Sequence, residues 1–126
     1  MGHFHPENVI DNRFLEELDI GTTDDWIMER VGIQQRRTVL PLEYISDTQN
    51  KDPRLAHEAA LYDNAETAAC AARPALERAG INASDVGLVV SGGCYSDMAI
   101  PAEASRIAAA LDIDAPGIDI NSACCS

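Results

Sequence analysis

Two short apolar runs, Val86-Gly-Leu-Val-Val-Ser91 and Ile118-Asp-Ile120, limit the fold more than any other feature of the chain. The first is apolar almost throughout, as strands buried on both faces are. Between them, Pro101 is placed to open a helix that runs through Leu111, and Ala115-Pro116-Gly117 makes the turn into the second run. Strand, helix, strand at this spacing predicts a right-handed βαβ crossover with parallel strands. A parallel sheet needs cover on both faces, and two or three strands cannot make a stable one alone. At 126 residues the chain is one small domain at most, or a piece of a larger fold. Ending on a strand and the opening of a helix, it reads as a piece.

The N-terminal half is punctuated by helix caps. Asp11 suits the N-cap of a short helix from Asn12 to about Asp19, with Phe14, Leu15 and Leu18 on one face and Gly21 as its stop. Thr22 followed by Asp25 approximates a capping box, Asp24 and Asp25 favour the first turn, and Gly32 is the expected C-cap. Ile33 to Leu40 reads as extended and carries Arg36 and Arg37. Pro41 to Pro53 is polar and reads as an irregular surface loop. Leu55 to Ala79 is Ala-rich and helical, ended by Gly80, with a kink or break expected at Pro74.

Composition removes several function classes. The net charge of −12 disfavours nucleic-acid binding, because so acidic a chain repels phosphate. Lys51 is the single Lys, so anionic ligands would have to be caught by placed Arg side chains rather than by a general basic field. No run reaches the ~18 apolar residues of a membrane span, and Met-Gly-His-Phe-His-Pro lacks the regions of a signal peptide. Cys70, Cys94, Cys124 and Cys125 form no C-x-x-C pair, and a bridge between the adjacent Cys124 and Cys125 would be strained. A reducing, cytoplasmic setting with free thiols is the expectation.

Two constellations could carry chemistry. Cys124 follows a strand at the start of an expected helix, where unpaired backbone N–H groups stabilise a thiolate. Small neighbours, Ser122 and Ala123, leave the sulfur approachable, and the turn can supply an N–H to an oxyanion. The competing reading is a small buried cysteine, and no His partner is visible in the sequence. Trp26 and Arg30 share a helix face, and an indole and a guanidinium one turn apart can sandwich a flat aromatic ring. Arg36 and Arg37 could meet phosphates. Against this stands a core Trp with solvated Arg residues. His3 and His5 have no further ligand nearby, so no metal is expected and a frayed terminus is the reading. Gly92-Gly93 after a strand lacks the rest of a phosphate-loop motif.

These residues resemble a known family. Asn12-Arg-Phe-Leu-Glu-Glu-Leu followed by Thr22-Thr-Asp-Asp-Trp-Ile-Met-Glu-Arg-Val-Gly-Ile-Gln-Gln-Arg-Arg37 looks like the N-terminal signature of β-ketoacyl-acyl-carrier-protein synthase III. Asp119-Ile-Asn-Ser-Ala-Cys-Cys125 looks like that family's turn around its nucleophilic cysteine, and Ala79-Gly-Ile, Asp85-Val-Gly-Leu-Val-Val and Ile100-Pro-Ala-Glu-Ala-Ser match in order between them. The resemblance implies a thiolase-like layered α/β/α/β/α fold, of which residues 1–126 supply a partial N-terminal half, usually dimeric. It implies a decarboxylating Claisen condensation of an acyl-coenzyme A with malonyl-acyl-carrier-protein, with coenzyme A thioester as substrate and no bound cofactor. By position, Cys124 is the acylated nucleophile; Trp26 and Arg30, with Thr22 beside them, hold the coenzyme A adenine. Ile100 falls at the dimer interface that shapes the partner's acyl pocket.

The resemblance also carries departures. The family's His and Asn lie well downstream of the cysteine, the first strand is missing, and residues 41–62 hold an insertion. A homodimer or a completing chain is therefore expected, and the acidic balance argues that the carrier protein docks elsewhere. Alternatives are a relative that moves the acyl group to oxygen, nitrogen or another carbon chain, a non-catalytic subunit, or a vicinal-thiol redox switch at Cys124 and Cys125.

Overall fold

The computed structural model describes residues 1–49 and 51–126. Their order is β1 (Asn8–Asp11), α1 (Asn12–Glu17), α2 (Asp24–Arg30), β2 (Gln35–Thr38), α3 (Leu42–Thr48), α4 (Pro53–Ala59), α5 (Asn64–Ala79), a 3-10 turn (Ala83–Asp85), β3 (Val89–Gly92), α6 (Glu103–Ala110) and β4 (Gly117–Ile120). They form two compact units, His5–Leu61 and Met1–Phe4 with Tyr62–Ser126.

In His5–Leu61, β1 and β2 pair antiparallel, Asn8 opposite Thr38 and Asp11 opposite Gln35. The strand β1 carries no alternation that would mark it in the sequence. Asp11 caps α1 as expected, accepting from the Phe14 amide at 2.8 Å. The helix gives way at Leu18 and Asp19, the latter at φ 51°, before Gly21 is reached. The cap of α2 differs from the expectation: Thr23, not Thr22, accepts from the Trp26 amide at 3.1 Å. Trp26 then takes the third helical position, and Glu16 of α1 accepts from the Asp24 amide at 2.7 Å. Val31 is the C-cap, with Gly32 one residue beyond at φ 69°.

The stretch Pro41 to Pro53, read as a loop, is largely helical, with Asn50 outside the described residues. Leu42 and Ile45 stand at helical spacing and are half-buried, with Thr48 one turn further on, a short apolar stripe masked by its polar neighbours. The helical stretch expected from Leu55 is two helices: α4 opens with Pro53 and ends before Ala60. The Leu61 amide donates to the Val39 carbonyl at 2.9 Å, so the excursion that holds α3 and α4 closes on itself.

In the other unit, Asp63 sets the start of α5. Its carboxylate accepts from the Glu66 amide at 2.8 Å, while the Glu66 carboxylate accepts from the Asp63 amide at 2.9 Å. This capping box, not Pro74, is where the helical stretch breaks; Pro74 sits inside α5, which runs on to Gly80 at φ 67°. Ala65 and Ala69 of α5 and Ala104 and Ala108 of α6 are buried, each pair four residues apart, and the two helices pack on one another. Alanines at this spacing let helix axes approach closely.

The strands β3 and β4 pair parallel, Val89 opposite Gly117 and Gly92 opposite Ile120, with α6 crossing between them as expected. A Cβ on Gly117 would lie 2.9 Å from the Ala104 side chain, so glycine is what seats α6 on this sheet. Val90, Ile118 and Ile120 stay about half exposed, so the described residues cover one face only. Pro101 does not open α6; it stands before the N-cap, Ala102. The cap comes from β4, whose Asp119 carboxylate accepts from the Glu103 and Ala104 amides at 2.8 Å each. The terminus is not frayed: a Cβ on Gly2 would lie 2.1 Å from the Ala71 carbonyl of α5, and Arg78 donates to the Met1 carbonyl at 2.8 Å. Phe4 meets Tyr62 edge to face at 5.1 Å. No described helix is long and apolar enough to cross a membrane.

Candidate functional site

The stacking pair is formed as its spacing predicts. Arg30 lies over the Trp26 ring with its guanidinium carbon 5.8 Å from the centroid, and Trp26 remains 54% exposed. An indole that packed in the core would not leave half its surface to solvent, so the core reading of Trp26 is set aside. What the core takes from α2 is Ile27, at 5% exposure.

Thr22 lies one residue before the cap, and its hydroxyl oxygen is buried with no hydrogen-bond partner among the described residues. Arg36 and Arg37 do other work. The half-buried Arg36 donates to the Asn12 side-chain oxygen at 2.6 Å, and Arg37 donates to the Pro6 and Glu7 carbonyls at 3.2 and 3.3 Å. Both guanidinium groups therefore hold backbone and amide partners, which weakens their assignment as phosphate contacts.

Asn12 is the residue that sequence reasoning missed in this unit. It is 3% exposed, and its amide nitrogen donates to the Asp24 carboxylate at 2.6 Å and to the Ile33 carbonyl at 2.9 Å. With Arg36 on its oxygen, one side chain ties α1 to the start of α2 and to β2. A polar residue at the head of an amphipathic helix resembles an ordinary surface position, so nothing local marks it as buried.

In the unit of Tyr62–Ser126, Cys124 is exposed and all four cysteines are free. The residues after β4, Asn121 to Ser126, are held by short-range hydrogen bonds. They make two turns in which the Cys125 amide donates to the Ser122 carbonyl at 3.0 Å and the Ser126 amide to the Ala123 carbonyl at 3.3 Å. Side chains supply the rest: Asn121 accepts from the Ala123 amide at 3.1 Å, and the Ser126 hydroxyl accepts from the Ser122 amide at 2.9 Å. Ser and Asn side chains commonly hold turns in this way. Of the amides from Ser122 to Ser126, that of Cys124 has no partner among the described residues.

Ala123 sits at φ 50°, in the left-handed region, immediately before the cysteine. An alanine there costs about 1–2 kcal/mol, and such strain gathers at functional turns. Gly92 explains the glycine pair in part. A Cβ on it would lie 2.9 Å from the Ser126 carbonyl carbon, so the end of β3 is glycine because the segment after Cys124 passes against it. A cavity of about 200 Å³ beside this turn is lined by Ser91, Cys94, Tyr95, Glu103, Asp119 and Asn121, among others. Ile100 is 85% exposed in the loop between β3 and α6. Among the described residues no three His, Cys, Asp or Glu side chains converge as metal ligands would.

No family model matches the chain. The chain is 35% identical over 125 residues to the β-ketoacyl-[acyl-carrier-protein] synthase III of Alkalilimnicola ehrlichii, covering 98% of this chain and 32% of the relative. It therefore spans about a third of the length of the curated relatives it matches. Among solved structures, 3-oxoacyl-[acyl-carrier-protein] synthase III from Aquifex aeolicus superposes with a TM-score of 0.77 at 26% identity, over 98% of this chain and 33% of that one. The priming β-ketosynthase of the R1128 polyketide pathway superposes with a TM-score of 0.73 at 27% identity, over 96% and 30%. The fold is that of thiolase-like condensing enzymes, as the resemblance implies, and the likeness to synthases III runs along nearly the whole chain.

Proposed function

We propose that this chain, similar to β-ketoacyl-acyl-carrier-protein synthases III along its length, is the nucleophile-bearing N-terminal portion of a condensing acyltransferase of fatty acid or polyketide biosynthesis. The observation that carries the reading is the joint presence of an exposed Trp26–Arg30 stack and an exposed Cys124 on a strained turn after a parallel strand. Trp26 and Arg30 take the adenine of an acyl-coenzyme A between them, and the orphaned Thr22 hydroxyl is the kind of group a ligand satisfies.

The Cys124 thiolate attacks the thioester carbonyl, with its own amide as a donor to the oxyanion. The carbon–sulfur bond to coenzyme A breaks, and the coenzyme leaves as a thiolate that takes up a proton. In the second half, malonyl-acyl-carrier-protein loses carbon dioxide. The resulting carbanion attacks acyl-Cys124, forms the new carbon–carbon bond and returns the cysteine thiolate. A cytoplasmic homodimer is part of this reading, with Ile100 at its interface.

Mass spectrometry of the intact protein after incubation with an acyl-coenzyme A tests the first half: an acyl adduct on Cys124 is expected, and its absence overturns the reading. Likeness to the priming ketosynthase supports a polyketide setting for the same chemistry. Release of carbon dioxide from malonyl-acyl-carrier-protein distinguishes condensation from acyl transfer to oxygen or nitrogen.

A further inference from the structure

Between Gly92 and Pro101 the chain crosses from β3 towards α6, and among these residues Asp97 alone is not exposed. Its carboxylate accepts from the Asn64 amide at 2.9 Å and from Arg106 Nη1 at 3.1 Å. The same nitrogen donates to Glu103 at 3.1 Å, and Nη2 of Arg106 donates to Asp63 at 2.5 Å. The side chains of Asp97, Glu103 and Arg106 are 7%, 9% and 16% exposed. Asp97 stands three residues before Ile100 and Glu103 three after it. One guanidinium nitrogen thus closes the base of a short loop whose tip, Met98 to Pro101, is exposed. The Asp97 amide, which donates to Glu103 at 3.4 Å, draws the same two ends together.

We infer that Arg106 is a positioning residue for acyl-donor selectivity, holding Ile100 in place through the carboxylates at both ends of its loop. This rests on the proposed function, a homodimer with Ile100 at its interface, and on the resemblance, which implies that this interface shapes the partner's acyl pocket. Three carboxylates on one fork need the planar guanidinium. A lysine ammonium is a point charge that can serve one or two of them. Asp63 also caps α5, so the clasp fixes the loop to a rigid helix end rather than to another loop.

The test measures kcat/KM for acylation of Cys124 by a series of straight-chain acyl-coenzyme A donors, from acetyl to decanoyl, in the intact protein and in its Arg106→Gln, Arg106→Lys and Asp97→Asn variants. With the clasp opened, the ratio of long to short donors is expected to rise about tenfold in Arg106→Gln, the scale on which a pocket discriminates small changes in an apolar group. Arg106→Lys should fall between that variant and the parent. Asp97→Asn keeps an acceptor for Asn64 and lowers the negative charge of the cluster, so it reports even if Arg106→Gln does not fold, with a rise of about threefold. A merely structural clasp lowers the melting temperature and scales every donor equally; an unchanged ratio in the folded variants overturns the inference. Absence of acylation in the unsubstituted protein by every donor is a different result, and it overturns the proposed function itself.

Discussion

The two compact units hold their candidate sites by opposite electrostatic means. In His5–Leu61 the buried polar hub is a neutral amide, Asn12, which makes bonds to Asp24, Ile33 and Arg36. In the unit of Tyr62–Ser126 the hub is a cation, Arg106, shared by Asp63, Asp97 and Glu103. Losing the amide strands one donor and two acceptors, each of which can turn to water in part. Losing the guanidinium leaves three carboxylates facing one another, two of them nearly buried, with nothing to offset them. The contrast teaches that the second unit depends on one side chain far more than the first does.

Arg106→Gln is the largest break this comparison predicts. It should destabilise the protein by about 3 kcal/mol, at the lower end for a broken buried pair because the cluster is partly open to water. The midpoint of urea unfolding reads the effect. Adding Glu103→Gln to the variant should recover part of the loss, since one unpaired carboxylate goes with it. A loss no larger than that of a surface substitution would put the two hubs on equal terms.

Asn12→Ala comes next, at about 2 kcal/mol, because a buried polar network loses its centre while its partners keep some access to solvent. The same variant should weaken acyl-coenzyme A binding, since α2 loses its tie to β2. Trp26→Ala sharpens the distinction between holding a site and forming it. With the indole half exposed, unfolding should move by less than about 0.5 kcal/mol. The KM for acyl-coenzyme A should rise about tenfold, the worth of one base stacked on an aromatic ring. Equal effects on stability and KM would return Trp26 to the core.

The readability of the chain follows the same division between local and distant causes. Caps and spacings act within one turn of backbone, so Asp11, the Trp26–Arg30 pair and the βαβ order were all visible as residues. Where a cap competes with its neighbour, as Thr22 does with Thr23, one residue of error is inherent. The helix α3 is hidden because its apolar stripe is only Leu42 and Ile45 among Glu, Ser and Asp. Pro74 does not break α5, because the capping box at Asp63 and Glu66 restarts the helix earlier and α5 then tolerates the proline. Asn12, Arg106 and Asp119 are not legible, since each makes at least one bond spanning 15 to 43 positions and a sequence shows spacing only along the chain. Position after a strand marks Cys124 as the candidate, whereas the bonds from Asn121 and Ser126 that hold its turn leave no signal in the spacing.

The smallest effect belongs to an ion pair that resembles the Arg106 cluster on paper. Asp52 accepts from the Arg54 side chain at 2.8 and 3.0 Å and from its amide at 3.1 Å, and the Arg54 side chain is 89% exposed. The bond to the Arg54 side chain, more than that to its amide, holds the Asp52 carboxyl below its usual pKa. A carboxylate depressed in this way adds stability that is present above the ordinary aspartate range and is lost as pH falls through the lowered value. Arg106 is raised, chiefly by its hydrogen bond to Asp97, so its contribution is complete below the ordinary arginine range and constant through neutrality. Neutralising Asp52 at neutral pH should therefore do little, the more so because asparagine also caps helices. Asp52→Asn should leave the urea midpoint at pH 7 unchanged, and a carbon NMR titration of the parent should show the Asp52 carboxyl titrating below an ordinary aspartate. A midpoint shift matching that of Asn12→Ala would mean that exposed pairs sustain this fold as much as buried hubs do, and the contrast between the two units would lose its basis.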